Sequence, residues 1–186
     1  MGNVFSDFEI DKLGFKFEDS DEYLTAECIG SYEEELTAKV ITKKCRGIVR
    51  KKVVKGTGEG VLKITAHIPY DIYTSMYGME LDSLISGVKG YGQNSVHKKF
   101  SLVAHVTDED GVEKYKAYPN CVIETGKTSK IENGAEEVAE IELEVSVNPD
   151  DYGQGMYEAL AEEIDASVES TWMTAFTPDL VQAVSV

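Results

Sequence analysis

The side chains best suited to nucleophilic or metal chemistry are few in this chain and lie far apart in the sequence. Three cysteines and three histidines are present, at Cys28, Cys45, Cys121, His67, His97 and His105. A cysteine nucleophile needs a nearby histidine base, and Cys121 with His105 is the pair that a fold could join. Zinc ligands are closely spaced in sequence, and no Cys-x-x-Cys pair occurs here. We therefore predict no catalytic residue, no metal site and no cofactor.

A glycine-rich segment, residues 56–60, has the composition of a phosphate-binding loop. Its sequence is Gly-Thr-Gly-Glu-Gly, and it lacks the Gly-Lys-Ser/Thr ending that contacts phosphate and magnesium. The chain also has no Gly-x-Ser-x-Gly elbow and no dinucleotide-binding fingerprint. We predict that residues 56–60 form a turn between two strands and that the protein is not an enzyme.

Charge is strongly segregated along the chain. The whole sequence has 18 basic and 34 acidic residues, a net charge of −16, which argues against a nucleic-acid binder overall. Residues 43–55 nevertheless contain no acidic residue and seven basic ones, namely Lys43, Lys44, Arg46, Arg50, Lys51, Lys52 and Lys55. The remainder holds 11 basic residues against 34 acidic ones, and residues 131–186 contain 14 acidic residues with no lysine or arginine.

The basic segment has three interpretations. It could dock on nucleic acid or on an acidic protein surface. It could be a solvated hairpin whose lysines discourage unwanted strand pairing. Because the rest of the chain is acidic, copies of the protein could also associate through complementary charge.

The clearest strand pattern lies in residues 139–147, Ala-Glu-Ile-Glu-Leu-Glu-Val-Ser-Val. Side chains alternate between the two faces of a strand, so the apolar positions predict a buried face. The other face carries Glu140, Glu142 and Glu144. Such a row of carboxylates is costly unless that face is solvated, as on the outer surface of the protein, or meets basic partners.

Hydrophobic patterning predicts a mainly β protein. Strands are expected at residues 22–29, 34–42, 48–54, 60–68, 98–106, 112–118, 121–124 and 139–147, with Pro119 and Asn120 as a break. A short helix is expected between Pro69 and Gly78, since proline suits a first turn and glycine a helix end. The predicted fold class is α+β, as a β-sandwich or partly rolled antiparallel sheet of about eight strands flanked by one short helix.

The chain divides by composition into two segments. Residues 1–150 are predicted to form the β domain, with a basic hairpin arm within residues 38–68. Residues 151–186 are predicted to form an acidic, helical C-terminal extension. Its Leu160, Ile164 and Val168 are spaced as one narrow apolar stripe of a helix, which suits packing on the parent domain or on a neighbouring copy.

The order of these segments resembles the major tail proteins, or tail tube proteins, of long-tailed bacteriophages of Gram-positive hosts. The resemblance covers residues 20–150 as a pattern of elements without an invariant motif. Its carriers are the basic hairpin, Ile-Pro-Tyr-Asp-Ile-Tyr-Thr-Ser-Met-Tyr-Gly at 68–78, the glycine-rich loop to Gly92, the strand at 100–106, Lys-Ala-Tyr-Pro-Asn-Cys at 116–121 and the strand ending at Val147.

The resemblance implies a structural virion protein with a fold shared by the tubes of contractile tails and type VI secretion. Such proteins form hexameric rings that stack into a tail tube, assembled in the host cytoplasm. Their partners are tape measure, tail terminator and distal tail proteins. DNA passes through the lumen during ejection without specific binding, and no membrane partner is expected.

Two site hypotheses follow from the resemblance. The seven basic residues of the arm would dock on the adjacent ring, and Glu140, Glu142 and Glu144 would face the lumen, where negative charge repels DNA. The alternative function is a phage accessory binding module that uses residues 43–55 to contact nucleic acid or an acidic protein.

Overall fold

The structure, a computed structural model, describes residues 5–134 and 136–183. The predicted segments 1–150 and 151–186 therefore each extend beyond the described residues at one end. The strands are β1 (Glu9–Phe17), β2 (Leu24–Ala26), β3 (Ile29–Cys45), β4 (Ile48–Ala66), β5 (Phe100–Thr107), β6 (Glu113–Ile123), β7 (Ile141–Asn148) and β8 (Tyr157–Leu160). The α-helices are α1 (Tyr70–Met76) and α2 (Ala166–Ala175), and 3-10 helices span Ala161–Glu163 and Pro178–Val181.

The described strands form one antiparallel sheet with the order β2-β1-β5-β6-β7-β4-β3. The eighth strand, β8, pairs with the first half of β6, beside the stretch that pairs with β7. The sheet is not closed, because β2 and β3 remain its terminal strands. The prediction of a mainly β fold with about eight antiparallel strands and a short flanking helix is confirmed.

The main core lies on one face of the sheet. Strand β7 contributes Leu143, Val145 and Val147, which are at most 2% exposed, so the predicted apolar register is confirmed for these residues. At Ala139 the prediction is wrong, because this residue is exposed and precedes β7. Helix α1 lays Ile72 and Met76 on this core. The helix ends at Met76, and the predicted stop, Gly78, follows two residues later with a φ of 58° that suits a residue without a side chain.

A second, smaller core lies on the opposite face of β5 and β6. Its centre is Trp172 from α2, stacked on Tyr115 of β6 and close to Phe176. The indole nitrogen of Trp172 donates a hydrogen bond to the carbonyl oxygen of Lys116 at 3.2 Å. Strands β5 and β6 are therefore covered on both faces, and the C-terminal segment supplies one of the two covers.

The predicted break at Pro119 and Asn120 is wrong, because β6 runs through both residues. Proline cannot donate a backbone hydrogen bond and is tolerated in a sheet at a bulge. The register between β5 and β6 shifts at this point, between the pairs Phe100–Cys121 and Leu102–Tyr118. The bulge lets the strand accommodate Pro119 without ending.

The helix expected to carry the stripe Leu160, Ile164 and Val168 begins later than predicted. Leu160 ends strand β8, which pairs with β6, and Ile164 follows a 3-10 helix. Only Val168 of the three lies in α2. Ile164 and Val168 nevertheless pack against the core around Trp172. At Leu160 the available edge of β6 favours a strand, although the apolar spacing alone suggested a helix.

Strand β1 was not predicted, although Leu13, Phe15 and Phe17 alternate with Gly14 and Lys16 and are buried. The predicted strand at residues 22–29 is much shorter in the structure. It contains β2, and β3 begins only at its last residue. Since β1 pairs with both β2 and β5, it brings the short β2 into the sheet.

Candidate functional site

The most prominent surface feature is a long hairpin formed by β3 and β4. Strand β7 pairs with β4 between Gly60 and Ala66. Beyond that stretch, in the described part of the chain, β4 pairs with β3 alone. We call residues 38–56 the arm. From Ala38 to Cys45 it extends about 25 Å, given the rise of a strand.

The predicted turn at residues 56–60 is wrong, because these residues lie inside β4. The chain reverses at Arg46 and Gly47, whose φ angles are 52° and 78°. Within residues 56–60 the glycines permit a bulge: Gly58 has a φ of 78°, and the register shifts between the pairs Leu36–Gly60 and Ala38–Gly56. The segment bends the hairpin where the arm leaves the sheet.

The base of the arm contacts the segment that follows β7. A Cβ atom added to Gly155 would lie 2.0 Å from the carbonyl oxygen of Gly58, and one added to Gly58 would lie 2.9 Å from Pro149. Backbone therefore meets backbone at this point, and both positions require glycine. The direction of the arm is held by the loop that begins the C-terminal segment.

All seven basic residues predicted as a docking site lie on the arm, and all seven are exposed. The register places Lys43 directly opposite Lys51, and Lys39 directly opposite Lys55. Like charges at directly opposed positions destabilise a strand pair. The arm is thus a ribbon whose charge favours an acidic partner.

Apolar side chains are also exposed on the arm, a feature that the sequence analysis missed. The exposed ones are Val40, Ile41, Ile48, Val49 and Val54. The signal was present as valine and isoleucine interleaved with the lysines, but the charges dominated its interpretation. An isolated two-stranded ribbon is only marginally stable in water, so these side chains favour a partner as well.

The predicted glutamate row occupies an exposed face of the sheet. Glu144 lies opposite Lys63, which lies opposite Glu33 and approaches its carboxylate at 3.5 Å. Glu142 lies opposite Thr65 on the same face. Glu140 is exposed but precedes β7, and its carboxylate lies over Gly30. Whether this face borders a lumen stays a prediction.

A polar cluster surrounds the buried side chain of Lys116. Lys116 is 5% exposed, and its ammonium group lies 3.5 Å from Glu34 and 3.8 Å from Asp7. The Tyr118 hydroxyl donates to Glu34, and burial raises the pKa of Tyr118. A cleft of about 490 Å³ borders this cluster between β1 and β3. The ion pairs neutralise the buried ammonium group of Lys116, and the pair with Glu34 connects β6 to β3.

The one nucleophile–base pair considered from the sequence is not assembled. Cys121 lies in the main core, where burial raises the pKa of its thiol. His105 lies on the other face of β5, with Nδ1 2.7 Å from Asp11. Within residues 5–134 and 136–183, no three histidine, cysteine, aspartate or glutamate side chains are grouped to hold a metal ion. No helix of the described chain has the length and apolarity needed to span a membrane.

Comparison with known proteins gives no family assignment. No family model matches the chain, and no curated protein matches it. Among solved structures, the chain is similar to a chain from the cryo-EM structure of the anti-feeding prophage (AFP) baseplate, 6-fold symmetrised. The sequences are 12% identical, the TM-score is 0.48, and the alignment covers 86% of this chain and 97% of the other.

Proposed function

We propose that this protein is a structural subunit of a long-tailed phage virion and that it catalyses no reaction. In this proposal it forms hexameric rings that stack into the tail tube through which DNA passes during ejection. The observation that carries the proposal is the arm, an exposed ribbon with basic and apolar side chains on a chain that is otherwise strongly acidic. Self-association would pair the basic side chains of the arm with acidic groups of another copy and would cover its exposed apolar side chains.

The open sheet supports the same function. Strand β3 is a terminal strand of 17 residues, and its unpaired edge offers backbone groups to a neighbouring strand. A ring of copies satisfies such edges by closure, whereas head-to-tail contacts between rings remain open and build a filament. The arm is placed to make the contacts between rings, with tape measure, tail terminator and distal tail proteins as further partners.

The exposed glutamates then acquire a role in DNA passage. A wall that carries Glu142 and Glu144 repels phosphate, so DNA slides without the many contacts that a basic wall would make. We propose that this face of the sheet borders the lumen. Cryo-EM of assembled tubes tests the assignment directly, because the two carboxylates must lie at the inner radius. Their location on the outer surface would refute it.

Electron microscopy of the purified, concentrated protein tests the assembly proposal. We expect rings or tubes of uniform width. The variant Lys51→Glu/Lys52→Glu should form fewer and shorter tubes, since it reverses charge on the arm. The matched control Lys99→Glu/Lys130→Glu changes net charge equally at two exposed lysines outside the arm and should assemble like the wild type.

The second candidate is an accessory module that uses the arm to bind nucleic acid, and the seven exposed basic residues favour it. It predicts a monomer at every concentration and salt, with duplex DNA affinity that falls steeply as salt rises. Sedimentation and a DNA-binding titration on the same preparation separate the two functions. A strict monomer with salt-sensitive DNA affinity would overturn the tube proposal.

A further inference from the structure

The two faces of the arm differ in chemistry. Six successive pairs connect Ala38–Lys43 to Lys51–Gly56 without a register shift, and directly opposed residues share a face. We call one face the lysine face; it carries Lys39, Lys43, Lys51 and Lys55 around the pair Ile41 and Val53. We call the other the apolar face; it carries Val40 and Val54 between Ala38, Gly56, Thr42 and Lys52.

Both faces are open to solvent in the single chain. On the apolar face Val40 and Val54 are 52% and 58% exposed, and on the lysine face Ile41 is 47% exposed. A strand that keeps one side against its own protein shows apolar residues on that side alone. Apolar residues on both sides of the arm therefore indicate that both sides are covered in the functional state.

We propose that the arm is inserted between surfaces of other copies of this chain, with each face making a different kind of contact. The apolar face packs directly on an uncharged surface, and the lysine face meets an acidic surface. This inference rests on the proposed function, because it assumes that copies of the chain associate. It adds that the association has an apolar component and an ionic component carried by opposite sides of one ribbon.

Charge complementarity identifies the occupant as a further copy of the chain. Four lysines surround one apolar pair on the lysine face, and outside residues 43–55 the chain holds 34 acidic residues against 11 basic ones. Most of the charge that another copy offers outside residues 43–55 is therefore acidic. The apolar face carries a single lysine, Lys52. Contact with another surface therefore removes water from few charged groups on that face.

Face-specific variants test the inference by sedimentation at low, physiological and high salt. Val40→Thr/Val54→Thr keeps side-chain shape and strand propensity on the apolar face. We expect it to weaken association roughly tenfold at every salt concentration. Lys43→Gln/Lys51→Gln acts on the lysine face. We expect it to weaken association roughly tenfold at low salt and less than about twofold at high salt, because salt screens exposed charges.

Matched controls lie elsewhere on the surface. Val96→Thr/Val138→Thr alters two valines that are 77% and 82% exposed, and Lys99→Gln/Lys130→Gln alters two exposed lysines. Both controls should associate as the wild type does. Fluorescence of Trp172, the single tryptophan, and circular dichroism confirm that each variant retains its core.

The possible outcomes separate this inference from the proposed function. A wild-type chain that never associates overturns both. A wild type that associates, together with Val40→Thr/Val54→Thr that associates equally well, overturns the two-sided arm and leaves the tube proposal standing. Identical salt dependence for the two face variants would also overturn it, since the contacts would then not be chemically distinct.

Discussion

Gly155 and Gly58 meet backbone to backbone, so that a Cβ on Gly155 would lie 2.0 Å from the Gly58 carbonyl oxygen. One partner belongs to the bulge where the arm leaves the sheet, and the other to the loop that opens the C-terminal segment. The C-terminal segment thus has two structural roles. It covers the outer face of β5 and β6, and it fixes the base of the arm.

The first prediction concerns this contact. Gly155→Ala should lower the free energy of unfolding by about 1–3 kcal/mol, as overpacking does, and should shift the arm and impair tube formation. Chemical denaturation and electron microscopy measure the two effects. The control is Gly92→Ala, at an exposed position outside the arm with no atom within 4 Å of the added Cβ. Equal behaviour of the two variants would show that the arm base and the loop do not touch.

The second prediction uses the three free cysteines. Cys28 and Cys45 are exposed, and Cys45 lies beside the turn of the arm, whereas Cys121 is buried. A thiol reagent such as DTNB should modify two thiols rapidly in the native protein and the third only on unfolding. Burial raises the pKa of Cys121, so its thiol stays protonated as pH rises from about 7 to about 9 and does not gain reactivity.

The control for the thiol prediction is Cys28→Ser/Cys45→Ser, which should show no rapid reaction. A fast third thiol in the wild type, or any fast thiol in this double variant, would place Cys121 outside the core. The single variant Cys28→Ser leaves Cys45 as the reactive thiol near the tip of the arm. If the arm docks on another copy, assembly should slow the modification of Cys45.

The β domain could be predicted largely because alternation reports burial where one face of a strand is solvated. Strand β7 is such a case, with Leu143 and Val145 inside and Glu142 and Glu144 outside. In strand β6 the prediction of a break at Pro119 failed, because a bulge depends on the register of the neighbouring strand and not on the local sequence. Strand β8 was predicted as part of a helix, because three apolar residues have a helical spacing, but pairing with β6 outweighs that spacing.

The candidate site was predictable in part. The location of the arm could be predicted from its charge, because residues 43–55 contain seven basic residues and no acidic one. Its two chemically different faces were not predictable, because they depend on the pairing of Lys43 with Lys51 and Val40 with Val54 across the hairpin. The contact of Gly58 with Gly155 joins residues nearly 100 positions apart, and no local pattern encodes such a contact.

The third prediction tests how firmly the C-terminal segment belongs to the fold. Trp172 is 1% exposed, stacks on Tyr115 and donates to the Lys116 carbonyl. Trp172→Ala should therefore lower the free energy of unfolding by about 3–5 kcal/mol, from lost burial and the cavity left behind. Urea denaturation followed by circular dichroism measures it. Tyr152→Ala is the control in the same segment; Tyr152 is 50% exposed, and its loss should cost less than about 1 kcal/mol.

The stabilities of Trp172→Ala and Tyr152→Ala also distinguish two arrangements of the C-terminal segment. If α2 covered only a neighbouring copy, Trp172→Ala would leave the unfolding of the isolated chain unchanged and weaken association alone. If α2 covers β5 and β6 of its own chain, the variant should be destabilised even at concentrations where the protein is monomeric. The buried indole and its bond to the Lys116 carbonyl require the second result, and equal stability of Trp172→Ala and Tyr152→Ala would contradict that packing.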